Sequence, residues 1–129
     1  MTDKELISMV HSSMYHQMQK SGFATPVQVL MDMGILSKED YERWRFGKVD
    51  YLERVCKVNL SKLSAVMREI RSYGAKNQLK ASWTFYKQWG QKNLTHAKKL
   101  RFSKSGNEDI EKAYATHYIS TAKPTTTES

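Results

Sequence analysis

The sequence predicts a small all-α domain, a bundle of about six or seven helices with a basic loop before the last helix and a disordered tail. Three observations carry that expectation. The chain has 129 residues, the size of one ordinary domain. Hydrophobic residues make up 40% of it, enough for one packed core. The apolar residues recur at helical spacing between marked caps instead of alternating. A single helical domain is expected over 1–119. The stretch 120–129, STAKPTTTES, is expected to be disordered because it has almost nothing to bury.

The elements follow in order. Thr2 and Glu5 stand at capping-box spacing before an apolar face of Leu6, Ile7, Met9, Val10, Met14 and Met18, and Ser21-Gly22 ends that helix. Thr25-Pro26-Val27-Gln28 combines a cap with proline at the first helical position, and Gly34 marks the stop. Ser37 with Asp40 opens a third helix that ends at Phe46-Gly47, so the second and third helices read as a helix-turn-helix-like pair. Asp50 and Glu53 repeat the capping pattern for a short helix. Asn59 caps the most amphipathic helix, 60–73, in which Leu60, Leu63, Val66, Met67, Ile70 and Tyr73 share one arc. Ser82 opens a helix over 83–89 with Trp83, Tyr86 and Trp89 on one face. Residues 91–107 read as a basic loop with a short extended stretch at Leu100 and Phe102. Ser105 and Glu108 open the last helix, 108–119.

Charge is the strongest functional signal. The net +8 is concentrated in residues 57–105, which hold twelve basic residues and one acid, Glu69. A block at +11 beside a near-neutral half points to a polyanionic partner, against the plainer reading of a solubilising surface, which mixed signs serve better.

That block offers two candidate contact surfaces. On helix 60–73, Ser61, Ser64, Arg68 and Arg71 form a stripe beside the apolar arc, with Lys62 nearby. Arginine forks onto phosphate or guanine, and serine donates to phosphate without bulk. The plain alternative is a solvated helix face whose arginines pair with neighbouring acids such as Glu69. In the loop, Lys98, Lys99, Arg101 and Lys104 have no evident core duty and suit phosphate contacts. Trp83, Phe85, Tyr86, Trp89 and Phe102 interleave with these cations, the composition of a base-stacking platform, although helical spacing favours core for Trp83, Tyr86 and Trp89. The helix-turn-helix pair is a poor reader, because Glu39, Asp40 and Glu42 would face phosphates.

Catalytic readings are weak. One cysteine, Cys56, excludes an internal disulfide framework and reads as a small buried apolar residue. His11 and His16 are five apart and fall on different helix faces, so no metal pair forms there. His117 with Tyr114 and Tyr118 is the one cluster with acid–base potential, as in a metal-independent ribonuclease. No cofactor, metal, small-molecule substrate or membrane is expected. MTDKEL mixes charges where a secretion signal would be basic then apolar, so a cytoplasmic location is expected. The expected function is non-catalytic nucleic-acid binding through helix 60–73 and loop 91–107, with duplex DNA slightly favoured over RNA. The alternative is a protein-binding adaptor or inhibitor, or a homodimer, using the Met-rich first helix (Met9, Met14, Met18).

Overall fold

Side-chain caps open the first helices where the sequence places them. The computed structural model describes residues 1–90 and 98–121. Helix α1 (Asp3–Ser21) starts at Thr2, whose hydroxyl accepts from the Glu5 amide while the Glu5 carboxylate accepts from the Thr2 amide. It ends on Gly22 in the left-handed region, φ 79°, and the chain passes straight into β1 (Phe23–Ala24). Thr25 caps α2 (Pro26–Asp32), Ser37 caps α3 (Lys38–Arg45) and Asn59 caps α4 (Leu60–Lys76), each side chain accepting from a first-turn amide.

Beyond α4 the all-α expectation is overturned. Among the described residues the fold has five α-helices and a three-stranded antiparallel sheet of order β1-β3-β2, with β2 at Lys80–Trp83, α5 at Glu108–Ala115 and β3 at Thr116–Ile119. The molecule is mostly helical but is not a six- or seven-helix bundle. The expected helix over 83–89 does not form. β2 pairs with β3 from Lys80↔Ile119 to Trp83↔Thr116, and just beyond it the Thr84 amide donates to the Ala115 carbonyl. The Leu100 amide donates to the Tyr86 carbonyl at 2.8 Å, and Lys87 bridges Lys99. The Trp-Thr-Phe-Tyr run suits a pleated surface, and its i, i+3 aromatic spacing only imitates a helix. Of Trp83, Tyr86 and Trp89, Tyr86 alone is buried, so the shared core face is also overturned.

Two other boundaries move for related reasons. The last helix stops at Ala115 instead of 119, because Thr116–Ile119 finds a strand on either side, and its cap is Asn107, not Ser105. In place of the helix expected after Asp50 there is one 3-10 turn, Leu52–Val55, with no side-chain cap. Asp50 pairs with Arg54 at 2.7 Å, and Glu53 is committed elsewhere. Residues 91–97 of the expected loop and 122–129 of the expected tail lie outside the described residues.

The core joins Leu6, Val10 and Met14 of α1 to Val27 and Leu30 of α2 and to Leu63, Val66 and Ile70 of α4. At its other end Trp44, fully buried, packs against Tyr86 and Phe102, and Phe102 stacks on Tyr114 with ring centroids 5.5 Å apart. The Trp44 indole N–H donates to the Arg101 carbonyl at 2.8 Å, so the ring fixes both the packing and the path of the later chain. Gly74 sets how closely the sheet approaches α4. A Cβ there would stand 2.7 Å from the Tyr118 ring, closer than carbon atoms pack.

Candidate nucleic-acid interface

One face of α4 is covered by α1, and the other forms the wall of a groove. The groove holds about 1130 Å³ and lies between α4, α5, β2 and the 104–105 turn. Its apolar lining includes Met67, Leu79 and Tyr118, with Leu60 and Ile110, both exposed, beside them. Arg68 and Arg71 line it from α4, Lys104 from the turn and Lys112 from α5, with Ser64 as a hydroxyl donor, while the Thr116 hydroxyl is already donated to the Lys112 carbonyl at 2.7 Å. Of the nine residues expected to contact phosphate, Ser64, Arg68, Arg71 and Lys104 thus come together, although Arg68 and Lys104 are 36 positions apart in sequence.

The arginines are not tied to the acid of their own block. Glu69, the single acid of the basic block, turns to α1 and meets His11 Nε2 at 2.6 Å. Among the described residues neither Arg68 nor Arg71 enters an ion pair. Two acids reach the groove, Glu53 and Asp109. Glu53 is half-buried and already occupied, accepting from the Tyr114 hydroxyl at 2.7 Å and the Lys104 amide at 2.9 Å. Glu111 ties the same turn from the other side, accepting from the amides of Phe102 and Ser103 and from the Ser103 hydroxyl. Two carboxylates therefore hold the 102–104 backbone, which puts the Lys104 side chain on a braced segment.

The remaining expected contacts divide. Lys62 stands apart from the groove, near Asp3 at 3.9 Å and donating to the Met1 carbonyl. Ser61 is exposed and does not line the groove. Arg101 serves the structure: its guanidinium donates to the carbonyls of Ser103 and Lys104 and lies over the Tyr51 ring. Lys98 and Lys99 are exposed beside the aromatic segment, with the Lys99 ammonium 3.8 Å from the Phe85 ring centroid. The sequence reading missed Lys112, which lies outside the 57–105 block among acids. Nothing local marks it, since only the packing of α5 against α2 and β2 brings it to the groove, across from α4.

The acid–base cluster at His117 does not assemble. His117 and Tyr118 are neighbours on β3, so their side chains point to opposite faces of the sheet. Tyr118 faces Gly74 and the groove, whereas the His117 ring stacks on Phe23 at 6.0 Å and meets Tyr86 edge-on. Burial holds the His117 imidazole below its ordinary pKa range. Tyr114 is occupied with Glu53, and burial together with that hydrogen bond pushes its phenol far above the usual range. Burial also pushes the Cys56 thiol up to about 12, and its Sγ donates to the Leu52 carbonyl. Among the described residues no group of three or more His, Cys, Asp or Glu side chains is placed to hold a metal. Nor is any described helix long and apolar enough to cross a membrane.

The other candidate surfaces weaken on inspection. Met14 is fully buried and Met18 packs against the core, leaving Met9 of that trio exposed. In the α2–α3 pair, Asp40 is occupied by Arg43 at 3.0 Å, and the Arg45 guanidinium lies over the rings of Tyr41, Tyr86 and Trp89. No family model matches the chain, and no curated protein or solved structure is significantly similar to it.

Proposed function

We propose that this protein binds single-stranded nucleic acid along the groove between α4 and α5, in a role that requires no chemistry of its own. The observation that carries the reading is the meeting of Arg68, Arg71, Lys104 and Lys112 around an apolar lining. Cations at the rim suit a phosphate backbone, and an apolar lining suits the faces of unpaired bases. The shape turns the choice away from duplex DNA. A reading helix must protrude into the major groove, whereas the Ser64–Arg68–Arg71 stripe forms the wall of a concavity.

The apolar lining supports a second reading, an acidic amphipathic helix of a partner protein laid in the same groove. The two separate by salt and by competitor. Four neutralised phosphates on a single strand give a slope of log affinity against log salt of about −3. Anisotropy of labelled oligothymidylate and oligouridylate should show that slope, with duplex of equal length binding more weakly. Arg68→Glu with Arg71→Glu should weaken single-strand binding at least about tenfold, while Lys62→Glu leaves it near wild type. No binding at about 50 mM salt, or a slope near zero, removes the nucleic-acid reading.

A further inference from the structure

Next to the groove lies a second, smaller hollow of about 430 Å³, lined by Trp83, Phe85, Lys99, Leu100, Phe102 and Lys112 among others. Trp83 ends β2 and Phe85 lies two residues beyond it, and the two rings meet on one side of the chain. Each is about half exposed, 46% and 47%, and they stand side by side. The rings meet edge-to-face, centroids 5.2 Å apart and planes at 83°. Cations attend both: Lys99 Nζ lies 3.8 Å from the Phe85 centroid and Lys112 Nζ 5.4 Å from that of Trp83. Lys99 reaches its place because residues 98–100 run beside 86–88, the Gln88 amide donating to the Lys98 carbonyl at 2.8 Å.

We propose that Trp83 and Phe85 form a base-stacking subsite for single-stranded nucleic acid, with Lys99 and Lys112 holding the phosphates on either side of the stacked nucleotide. The inference rests on the groove reading and extends it, because Lys112 lines both hollows and makes them one continuous track. Half-exposed aromatic rings stack on any base, and the ammonium groups that now lie over them swing to the flanking backbone, supplying its matching charge. Of the two acids at this site, Glu111 is taken by the Phe102 and Ser103 amides, whereas Glu108 holds Lys112 in an exposed i, i+4 pair at 3.2 Å that a phosphate has to displace, a contact of the kind worth little in water. Subsite and groove together imply a ligand several nucleotides long whose bases contribute to affinity without strong sequence preference.

The test compares a labelled oligothymidylate with an abasic oligomer of the same length and charge, both measured by anisotropy on the full chain. Trp83→Ala should weaken the oligothymidylate about tenfold and the abasic oligomer hardly at all, with the salt slope unchanged. Trp83→Phe, which keeps a ring, should recover most of the loss, and Phe85→Leu should reproduce the alanine result in part. Equal losses on both oligomers would mean that Trp83 only shapes the protein, and would overturn the proposal. An unchanged affinity in Trp83→Ala and Phe85→Leu overturns the subsite while leaving the groove standing. If the wild type binds neither oligomer, the groove reading fails and the subsite falls with it.

Discussion

The chain before α4 and the chain after it are organised by different physics. Before it, helices begin at caps written within a few residues: Thr2 with Glu5, Thr25 with Gln28, Ser37 with Asp40. After it, apart from the Asn107 cap of α5, structure depends on partners far away in sequence. β2 forms because β3 lies some 36 residues further on, Trp44 pins the Arg101 carbonyl, and Glu53 joins Tyr114 to the Lys104 amide. The proposed binding track joins the two kinds: Arg68 and Arg71 stand on the locally capped α4, whereas Lys104, Lys112, Trp83 and Lys99 are brought to it by the long-range kind. A groove assembled from distant segments is therefore more sensitive to tertiary packing than to any local helix signal.

The largest test of that contrast is Trp44→Ala. Trp44 sits on α3, yet its ring partners Tyr86 and Phe102 and its carbonyl acceptor lie in the later chain. Emptying a fully buried tryptophan site should cost about 3–5 kcal/mol in urea unfolding. Amide exchange should rise most around 100–104, with the α1 amides less affected. A loss below about 1 kcal/mol would mean that Trp44 does not join the two regions.

Ser37→Ala probes the local kind. Ser37 caps α3 at 3.0 Å, and its removal should cost about 1 kcal/mol. Oligonucleotide affinity should be unchanged where the folded state is saturated. If this variant weakens binding as much as the Arg68 and Arg71 reversals do, the division between scaffold and track is wrong.

The smallest expected effect is a pH dependence at His117. Its Nε2 is buried without a hydrogen-bond partner among the described residues, and burial lowers its pKa. The unfolded chain then takes up the proton more readily than the folded one. Stability from this site is fully present above the ordinary histidine pKa of about 6.5 and is lost as pH falls below it. The difference in Tm between wild type and His117→Phe should shift in favour of the phenylalanine variant between about pH 7.5 and 5.5. Parallel curves for the two proteins would show that His117 ionises freely in the fold.

How much was legible in the sequence follows the same division. α4 and its Asn59 cap are readable because an amphipathic helix carries its own period; Leu63, Val66 and Ile70 are buried as that period requires. The segment 80–88 is misleading because aromatics three apart satisfy a helix on paper, whereas β-branched and aromatic residues gain more from a neighbouring strand. At the candidate site, charge density identifies Arg68, Arg71 and Lys104 but also draws in Lys62 and Arg101, which the fold uses for other contacts. Lys112 carries no sequence signal, since its role depends on which helix it faces across the groove.

By itself the sequence determined a small, strongly basic, mostly helical chain whose positive charge is carried by residues 57–105, because composition and short-range capping act without knowledge of the fold. Only the tertiary structure decided that α5 leads into a central strand, that Gly74 admits the Tyr118 ring, and that the cations of α4, the 104–105 turn and α5 share one groove. The reason is range. A cap or a helical period spans a few residues and is written locally, whereas strand pairing and a shared groove exist only once distant segments have been brought together by burial of the core.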